Sequence, residues 1–209
     1  MFDAGTLTFR EFAMSEPLPL ACIQNAVLEF LRDRDDGVVF GAQAVNAYVS
    51  EPRMTQDVDV LSTRARELAE ELREHLGELF HIAVRVRDIR EGRGYRLFQI
   101  QKSGNRHLVD VRPVDALPST QRVAGVLVMA PPELIASKVI SYHRRKGQPK
   151  SFTDRRDIAA LLLQFPELKV SSGPVADAIT AAGVKPEILT TWHELAAQEI
   201  TPPEADDEF

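Results

Sequence analysis

The 209-residue sequence contains a single cysteine, Cys22, so it cannot form an internal disulfide, which favours a reducing compartment. The apolar residues around Cys22 predict that its side chain is buried. The sequence also lacks a membrane span, since its longest candidate run, residues 158–163, is far too short. Residues 1–12 carry acids and lack the apolar stretch of a signal peptide. We therefore expect a cytoplasmic protein with no membrane partner.

An excess of basic charge is also missing, because 25 Lys and Arg residues stand against 31 Asp and Glu residues, for a net charge of −6. This balance argues against a protein that coats nucleic acid through its overall field, although it does not exclude a local basic patch. An apolar content of 44% and a charged content of 27% are typical of a globular protein. The length suffices for one large domain or two small ones.

The hydrophobic pattern predicts a mixed α/β half followed by a helical half. In the first half, helices are expected at 19–34, 42–49 and 62–77, the last ending at Gly77. Strands are expected at 38–40, 57–61, 80–89, 95–101, 106–114 and 122–130. In the second half, helices are expected at 131–145, 153–165, 174–183 and 186–200. We therefore expect an α/β domain over 1–127, a helical domain over 128–200 and an acidic tail over 201–209.

Two aspartates, Asp57 and Asp59, interrupt the predicted strand DVDVL. Alternate residues of a strand share a face, so both carboxylates point the same way, with their Cα atoms roughly 6.5 to 7 Å apart. Together with Asp110, in LVDV, they could converge on one or two divalent cations, and ligands that are all oxygen suit Mg²⁺. The same pattern also fits carboxylates on the solvated face of an ordinary strand, so periodicity leaves both interpretations open.

Several short motifs occur in an order that resembles the nucleotidyltransferase superfamily with polymerase β-like palms. They are Gly-Ala at 41–42, RMTQDVDV at 53–60 and LVDV at 108–111. In that superfamily a Gly-Ser pair starts a short helix, and a DxD pair and a third Asp lie on later strands. The Arg-x-Thr-x-Asp-x-Asp run more narrowly resembles the abortive-infection toxins of bacterial type IV toxin–antitoxin pairs. Those toxins also carry a later helical Lys and a DxxD-type motif.

Lys138 matches the helical Lys, and Asp154 with Asp157 matches the DxxD-type motif, so the resemblance covers residues 38–163. It implies an α+β nucleotidyltransferase fold, a small mixed β-sheet flanked by helices, followed by an α-helical C-terminal domain. Ala42 departs from the family, whose serine hydroxyl at this place helps to hold a terminal phosphate. Backbone N–H groups at the start of a helix could still bind phosphate there.

The resemblance also implies a role for each residue of the site. Metal binding and catalysis would fall to Asp57, Asp59 and Asp110. Asp110 would also be the base, or the ligand of the metal ion that activates the attacking hydroxyl. Nucleotide binding would fall to Gly41, Ala42, Arg53 and Lys138. Supporting roles would fall to Thr55, Asp154 and Asp157.

Simpler explanations exist for several of these residues. Arg53 could also be an ordinary arginine on a surface loop. Lys138 could be a lysine whose side chain extends from the core to water. Asp154 and Asp157 fall in the first turn of the predicted helix, where acids are favoured without any catalytic role. Three histidines lack metal-ligand spacing and are predicted as strand, strand and helix-surface residues: His81, His107 and His143.

The segment 138–156 is rich in Lys and Arg, although the chain as a whole is acidic. It could follow an RNA backbone, form a solvated loop or bind an acidic partner. The resemblance implies a Mg²⁺-dependent enzyme that moves a nucleoside monophosphate from an NTP to an acceptor hydroxyl on RNA, such as tRNA, or on protein. Such an enzyme would be the toxin of a pair with a cognate antitoxin. The alternative, favoured by Ala42, is a module that has lost turnover and binds nucleotide, RNA or a protein partner.

Overall fold

The computed structural model describes residues 19–89, 92–102 and 104–202. Within these ranges the strands are β1 (Val38–Phe40), β2 (Val58–Ser62), β3 (Val84–Asp88), β4 (Tyr95–Gln99), β5 (Arg106–Pro113), β6 (Thr120–Val123) and β7 (Val126–Met129). The helices are α1 (Leu20–Leu31), α2 (Gly41–Tyr48), α3 (Ala65–Phe80), α4 (Pro131–Arg144), α5 (Pro149–Gln164), α6 (Pro174–Ala181) and α7 (Glu187–Ala197), with a short 3₁₀ helix at Pro166–Leu168.

All seven strands form one mixed sheet in the order β3-β4-β5-β2-β1-β7-β6. The pairs β1–β7 and β2–β5 are parallel, and the other four neighbouring pairs are antiparallel. Helix α3 contacts β2, β3, β4 and β5, and α2 contacts both β1 and β2. The expected class, a mixed sheet flanked by helices and followed by a run of helices, is confirmed.

The strand register brings an aromatic ring, two carboxylates and a guanidinium into one row. Phe40 of β1 pairs with Asp59 of β2, Asp59 with Asp110 of β5, and Asp110 with Arg96 of β4. The valines that alternate with these aspartates in β2 and β5 are fully buried: Val58, Val60, Val109 and Val111. Side chains alternate between the faces of a sheet, so one face of these strands enters the core and the other carries the acids.

One hydrophobic cluster runs through the described chain, from Ile23 in α1 to Trp192 in α7. It includes residues of the sheet and of the C-terminal helices, and strand β7 continues across residue 127. The two halves therefore share a core. The division into a domain over 1–127 and a domain over 128–200 stays a prediction.

Two predicted boundaries in the first half are wrong. Helix α3 does not end at Gly77 but continues to Phe80, because a helical Gly costs only about 1 kcal/mol and Phe80 extends the four-residue spacing of the buried leucines. His81 ends the helix in the left-handed region, with φ of 52°, and is not a strand residue. Residues 122–130 do not form a single strand. They contain the turn of the hairpin between β6 and β7, because positive φ angles at Ala124 and Gly125 reverse the chain.

Two predictions about helices also need correction. Helix α5 begins at Pro149 rather than at residue 153, since proline is favoured at the first helical position, and Asp154 and Asp157 therefore lie beyond the first turn. Cys22 is exposed, because α1 turns Ile23 and Val27 toward the core and leaves Cys22 outside. The predictions for residues 1–12 and for 203–209 of the tail concern parts of the chain outside the described ranges. No described helix is long and apolar enough to cross a membrane.

Candidate active site

The three predicted aspartates meet on the open face of β2 and β5. Asp57 lies in the loop just before β2, Asp59 lies in β2, and Asp110 lies opposite Asp59 on β5. Among the described residues, one group has potential ligand atoms that all lie within 4.8 Å of one another, and it comprises Asp57, His107 and Asp110. The structure thus brings two of the predicted ligands together with a histidine that the sequence analysis set aside.

His107 reaches the aspartates because of a bulge in β5. The β4–β5 register shifts between Leu97 and Phe98, which leaves Leu108 as an extra residue and turns His107 toward the face of Asp110. Its Nδ1 lies 3.1 Å from Asp57 Oδ2, and its Nε2 lies 3.0 Å from Asp110 Oδ1. An imidazole donates from both nitrogens only when both carry a proton, and it then bridges the two carboxylates as a cation.

Arg96 holds Asp110 from the other side through two parallel hydrogen bonds. Its Nε donates to Asp110 Oδ1 at 2.6 Å and its Nη2 to Oδ2 at 2.9 Å, the strong bidentate geometry of an arginine–carboxylate pair. Burial alone would raise the pKa of Asp110, but the hydrogen bonds and charges of His107 and Arg96 lower it well below its ordinary value. Asp110 is therefore a fixed anion and a weak base in this arrangement.

Asp59 has a different environment. Burial raises its pKa, Arg112 lowers it through its charge, and the neighbouring charges of Asp57 and Asp110 raise it further, so the pKa lies above its ordinary value. Arg112 donates one hydrogen bond, from Nη2 to Asp59 Oδ1 at 3.2 Å. A buried carboxylate with raised pKa among other carboxylates is where an additional cation would be favoured.

Gly41 allows the start of α2 to approach Asp59. Its φ is +72°, a conformation that side chains disfavour, and a Cβ atom there would lie 2.3 Å from Asp59 Oδ2. Ala42 follows within the first turn of α2. The predicted Gly-Ala motif thus lies directly against the second aspartate of the DxD motif.

Arg53, Lys138 and Asp157 form a buried ion triad. Arg53 donates to Asp157 from Nε at 2.7 Å and from Nη2 at 2.9 Å, and Lys138 Nζ donates to Asp157 Oδ2 at 2.7 Å. Burial raises the pKa of Asp157, but hydrogen bonds and charges from Arg53 and Lys138 lower it below its ordinary value. Asp157 is fully buried, and Lys138 is only 7% exposed. The triad joins the loop before β2 to helices α4 and α5.

The rest of this loop is also fixed by hydrogen bonds. Asn46 of α2 donates to Arg53 O at 2.8 Å and accepts from Arg53 N at 3.0 Å. Gln24 of α1 donates to Thr55 O at 2.9 Å, and the Thr55 hydroxyl donates to Asp57 O at 3.2 Å. Thr55 therefore shapes the entry to the DxD motif through the backbone. These contacts hold Asp57 at its place beside β2.

The other predicted residues of α4 and α5 lie outside the triad. Asp154 accepts a hydrogen bond from Arg145 Nη1 at 3.0 Å and is buried. His143 contacts the Thr191 hydroxyl of α7 at 2.7 Å and lies half-buried. Phe152 on α5 is 71% exposed. The exposed cations of the segment 138–156, called here the basic surface, are Arg144, Lys146, Lys150, Arg155 and Arg156.

Sequence reasoning missed three side chains that contact the aspartates of the site. A signal for Arg112 existed, since it lies two residues after Asp110 in a strand and so shares its face. No comparable signal pointed to Arg96, which meets Asp110 through strand pairing, or to His107, which depends on the bulge. The functional roles assigned to the other residues stay predictions.

A mixed sheet that displays carboxylates on two adjacent parallel strands, beside a glycine that starts a short helix, has the features of the nucleotidyltransferase fold. A model of the family described as nucleotidyl transferase AbiEii toxin, Type IV TA system, matches residues 30–186. The chain belongs to this family. A comparison with curated proteins gives no match.

Solved structures share the fold. Megavirus polyadenylate synthase aligns with a TM-score of 0.57 at 13% identity, over 70% of this chain and 32% of the viral chain. JHP933 from Helicobacter pylori aligns with a TM-score of 0.51 at 11% identity, over 84% of this chain and 88% of that chain. The chain thus spans about a third of the viral enzyme. At these identities the likeness shows the fold alone.

Proposed function

We propose that the protein transfers a nucleoside monophosphate from an NTP to an acceptor hydroxyl, with the help of a divalent metal ion. The observation that carries the proposal is the meeting of Asp57, Asp59 and Asp110 beside the start of α2, in a chain of a nucleotidyltransferase family. Transfer of this kind needs little covalent chemistry from the protein, because positioning and charge neutralisation supply most of the rate.

The residues at the site fit a divalent cation. Asp57 and Asp110 offer carboxylate oxygens, which suit Mg²⁺ and Mn²⁺, and His107 adds an imidazole nitrogen, which suits transition metals. The raised pKa of Asp59 supports the fit, because burial and neighbouring carboxylates disfavour its anion until a cation is close. A bound divalent cation would neutralise phosphate charge and favour the deprotonated form of an attacking hydroxyl.

Under this proposal the chain's own residues position the reactants. Asp57 and Asp59 would hold the divalent cation that binds the phosphates of the nucleotide. Gly41 and Ala42 would present backbone N–H groups to the same phosphates. Arg53 and Lys138 act through Asp157 by holding the loop that carries Asp57. Asp110, with its lowered pKa, contributes charge and ligand oxygens rather than acting as the base.

The acceptor is proposed to be RNA or protein, and the basic surface is where it would bind. Its cations are exposed on α4, α5 and the turn between them, and their attraction for an RNA backbone would weaken with salt. The family supports a role as a toxin with a cognate antitoxin. Both the acceptor and the antitoxin are part of this proposal.

The test is transfer of label from each α-labelled NTP, with Mg²⁺ or Mn²⁺, to total RNA and to protein. We expect label in one acceptor class, and its loss in the Asp57→Ala, Asp59→Ala double variant. The matched control is Asp88→Ala, an exposed aspartate outside the site, which should label as the unaltered protein does. Label that persists in the double variant, or none with any NTP, would contradict the proposal.

A second candidate is a module that binds nucleotide, RNA or a protein partner without turnover. Two observations favour it: Ala42 lacks the hydroxyl of the family's serine, and both oxygens of Asp110 are already engaged by Arg96 and His107. Thermal stabilisation by metal and NTP, in the absence of any labelled product, would select this candidate.

A further inference from the structure

Arg112 is a cation at the site that the motifs do not include. It belongs to β5, two residues beyond Asp110, and its side chain reaches back to Asp59. Its guanidinium lies 4.9 Å from the centroid of the Phe40 ring, and Phe40 directly precedes Gly41 and Ala42. The guanidinium therefore lies beside the strand end that leads into α2.

The geometry leaves most of this guanidinium available. Its contact with Asp59 is one hydrogen bond at 3.2 Å, and its side chain is 51% exposed. Arg96, by contrast, donates two short hydrogen bonds to Asp110, and its side chain is less exposed to solvent than that of Arg112. A guanidinium has five N–H donors, so Arg112 keeps unused donors within the described part of the chain. Such a contact orients the Arg112 side chain and leaves its other N–H donors available to a ligand.

The carboxylate of Asp59 lies between Arg112 and the start of α2. Oδ1 accepts from Arg112, while Oδ2 faces Gly41 at the start of the helix. A phosphate group bound between the aspartates and the start of α2 would therefore lie close to the guanidinium. Arginine is suited to this position because its planar fork binds phosphate oxygens in pairs.

We propose that Arg112 binds the terminal phosphates of the NTP and supplies the contact that Ala42, lacking a hydroxyl, cannot make. This inference rests on the proposed function and assigns its triphosphate site. The ring of Phe40 keeps the guanidinium plane oriented, as arginines stacked on aromatic faces are oriented elsewhere. Nucleoside monophosphates, which lack those phosphates, would gain nothing from Arg112.

The test compares binding of NTPs, of the matching NMPs and of inorganic tripolyphosphate, each with Mg²⁺, by calorimetry. Arg112→Gln should weaken NTP and tripolyphosphate binding about tenfold or more, the loss expected for one charge-assisted contact, and change NMP binding less than about twofold. In the transfer assay the KM for NTP should rise while kcat stays within about threefold. A merely structural role would not separate these quantities.

The chain offers a matched control and a rescue. Arg64 is also 51% exposed and ion-paired, with Asp36 and Glu71, away from the site, so Arg64→Gln should leave NTP binding unchanged. Ala42→Ser restores the family's hydroxyl and should recover part of the affinity lost in Arg112→Gln, with a smaller effect in the unaltered protein.

The outcomes separate the two proposals. If the unaltered protein binds NTP and transfers the nucleoside monophosphate from it, and Arg112→Gln does both equally well, Arg112 has no phosphate role and this inference alone is overturned. If the unaltered protein binds neither NTP nor tripolyphosphate, the proposed function itself is overturned. An equal loss of NTP and NMP binding in Arg112→Gln would also overturn the inference, because it would indicate a disturbed Asp59.

Discussion

Asp59 has surroundings that disfavour its charged form in the metal-free protein. Burial comes first among the causes that raise its pKa, and the charges of Asp57 and Asp110 add to it, whereas the charge of Arg112 opposes them. An acid whose folded pKa lies above its unfolded value costs stability at neutral pH. That cost shrinks as the pH falls through the folded pKa and is gone below the unfolded pKa.

Asp59→Asn should therefore raise the free energy of unfolding of the metal-free protein at neutral pH, by roughly 1 kcal/mol or less. The gain should shrink as the pH falls through the raised pKa of Asp59, because the wild-type carboxyl is then protonated. Urea unfolding in the presence of a chelator, at several pH values, measures both effects. A loss of stability at neutral pH would instead mean that the hydrogen bond with Arg112 outweighs the repulsion.

Substitution of Gly41 by alanine, compared with the same substitution of Gly147, separates the stability cost of backbone strain from the cost of steric contact with Asp59. Gly41→Ala places a side chain at positive φ and directs its Cβ against Asp59, whereas Gly147→Ala meets positive φ with nothing within 4 Å. Positive φ should cost each variant about 1 to 2 kcal/mol of unfolding free energy, and Gly41→Ala should lose about 1 to 2 kcal/mol more. Equal losses, measured by urea unfolding, would show that Asp59 can move aside.

Among the secondary-structure elements, the buried triad determines how the loop before β2 sits on the helices. Arg53 belongs to the loop, Lys138 to α4 and Asp157 to α5, so one carboxylate joins the loop to two helices that come much later in the sequence. Removal of one member of a buried ion group is costly, because the remaining charges are left without a partner in a site with little water.

Asp157→Ala should reduce the free energy of unfolding by about 3 to 5 kcal/mol and speed hydrogen exchange of the backbone amides of residues 53–57. The matched control is Glu70→Ala, which removes an acid from the exposed pair with Arg73 on α3 and should change stability by about 0.5 kcal/mol or less. If exchange in the loop stays unchanged in Asp157→Ala, the triad does not hold Asp57 in place.

For the whole molecule, the continuous hydrophobic cluster links the sheet to the C-terminal helices. We expect a single cooperative unfolding transition in urea, with coincident signals from Trp192 fluorescence and from circular dichroism. Trp192 is a fully buried residue of α7 and belongs to this cluster. Two separate transitions would favour independent domains on either side of residue 127.

Much of the fold could be predicted, because its signals are local. The valines that alternate with Asp57, Asp59 and Asp110 mark two strands whose aspartates face one side, and the register of β2 with β5 agrees with that expectation. Element ends were less predictable: α3 passes Gly77 because a helical Gly costs little and Phe80 continues the spacing of the buried leucines, and α5 starts at Pro149 because proline is favoured at the first helical position.

The identity and order of the acidic motifs were thus readable from the amino-acid sequence, because strand alternation and helix starts depend on neighbouring residues. Which side chains those acids contact could not be predicted from the sequence, apart from the shared strand face of Asp110 and Arg112. Arg96 contacts Asp110 through strand pairing, and His107 contacts it because of a bulge at Leu108. Arg53 and Lys138 both contact Asp157, which lies 104 and 19 residues away from them in the sequence. Such partners depend on register and packing between distant segments, which the folded chain alone establishes.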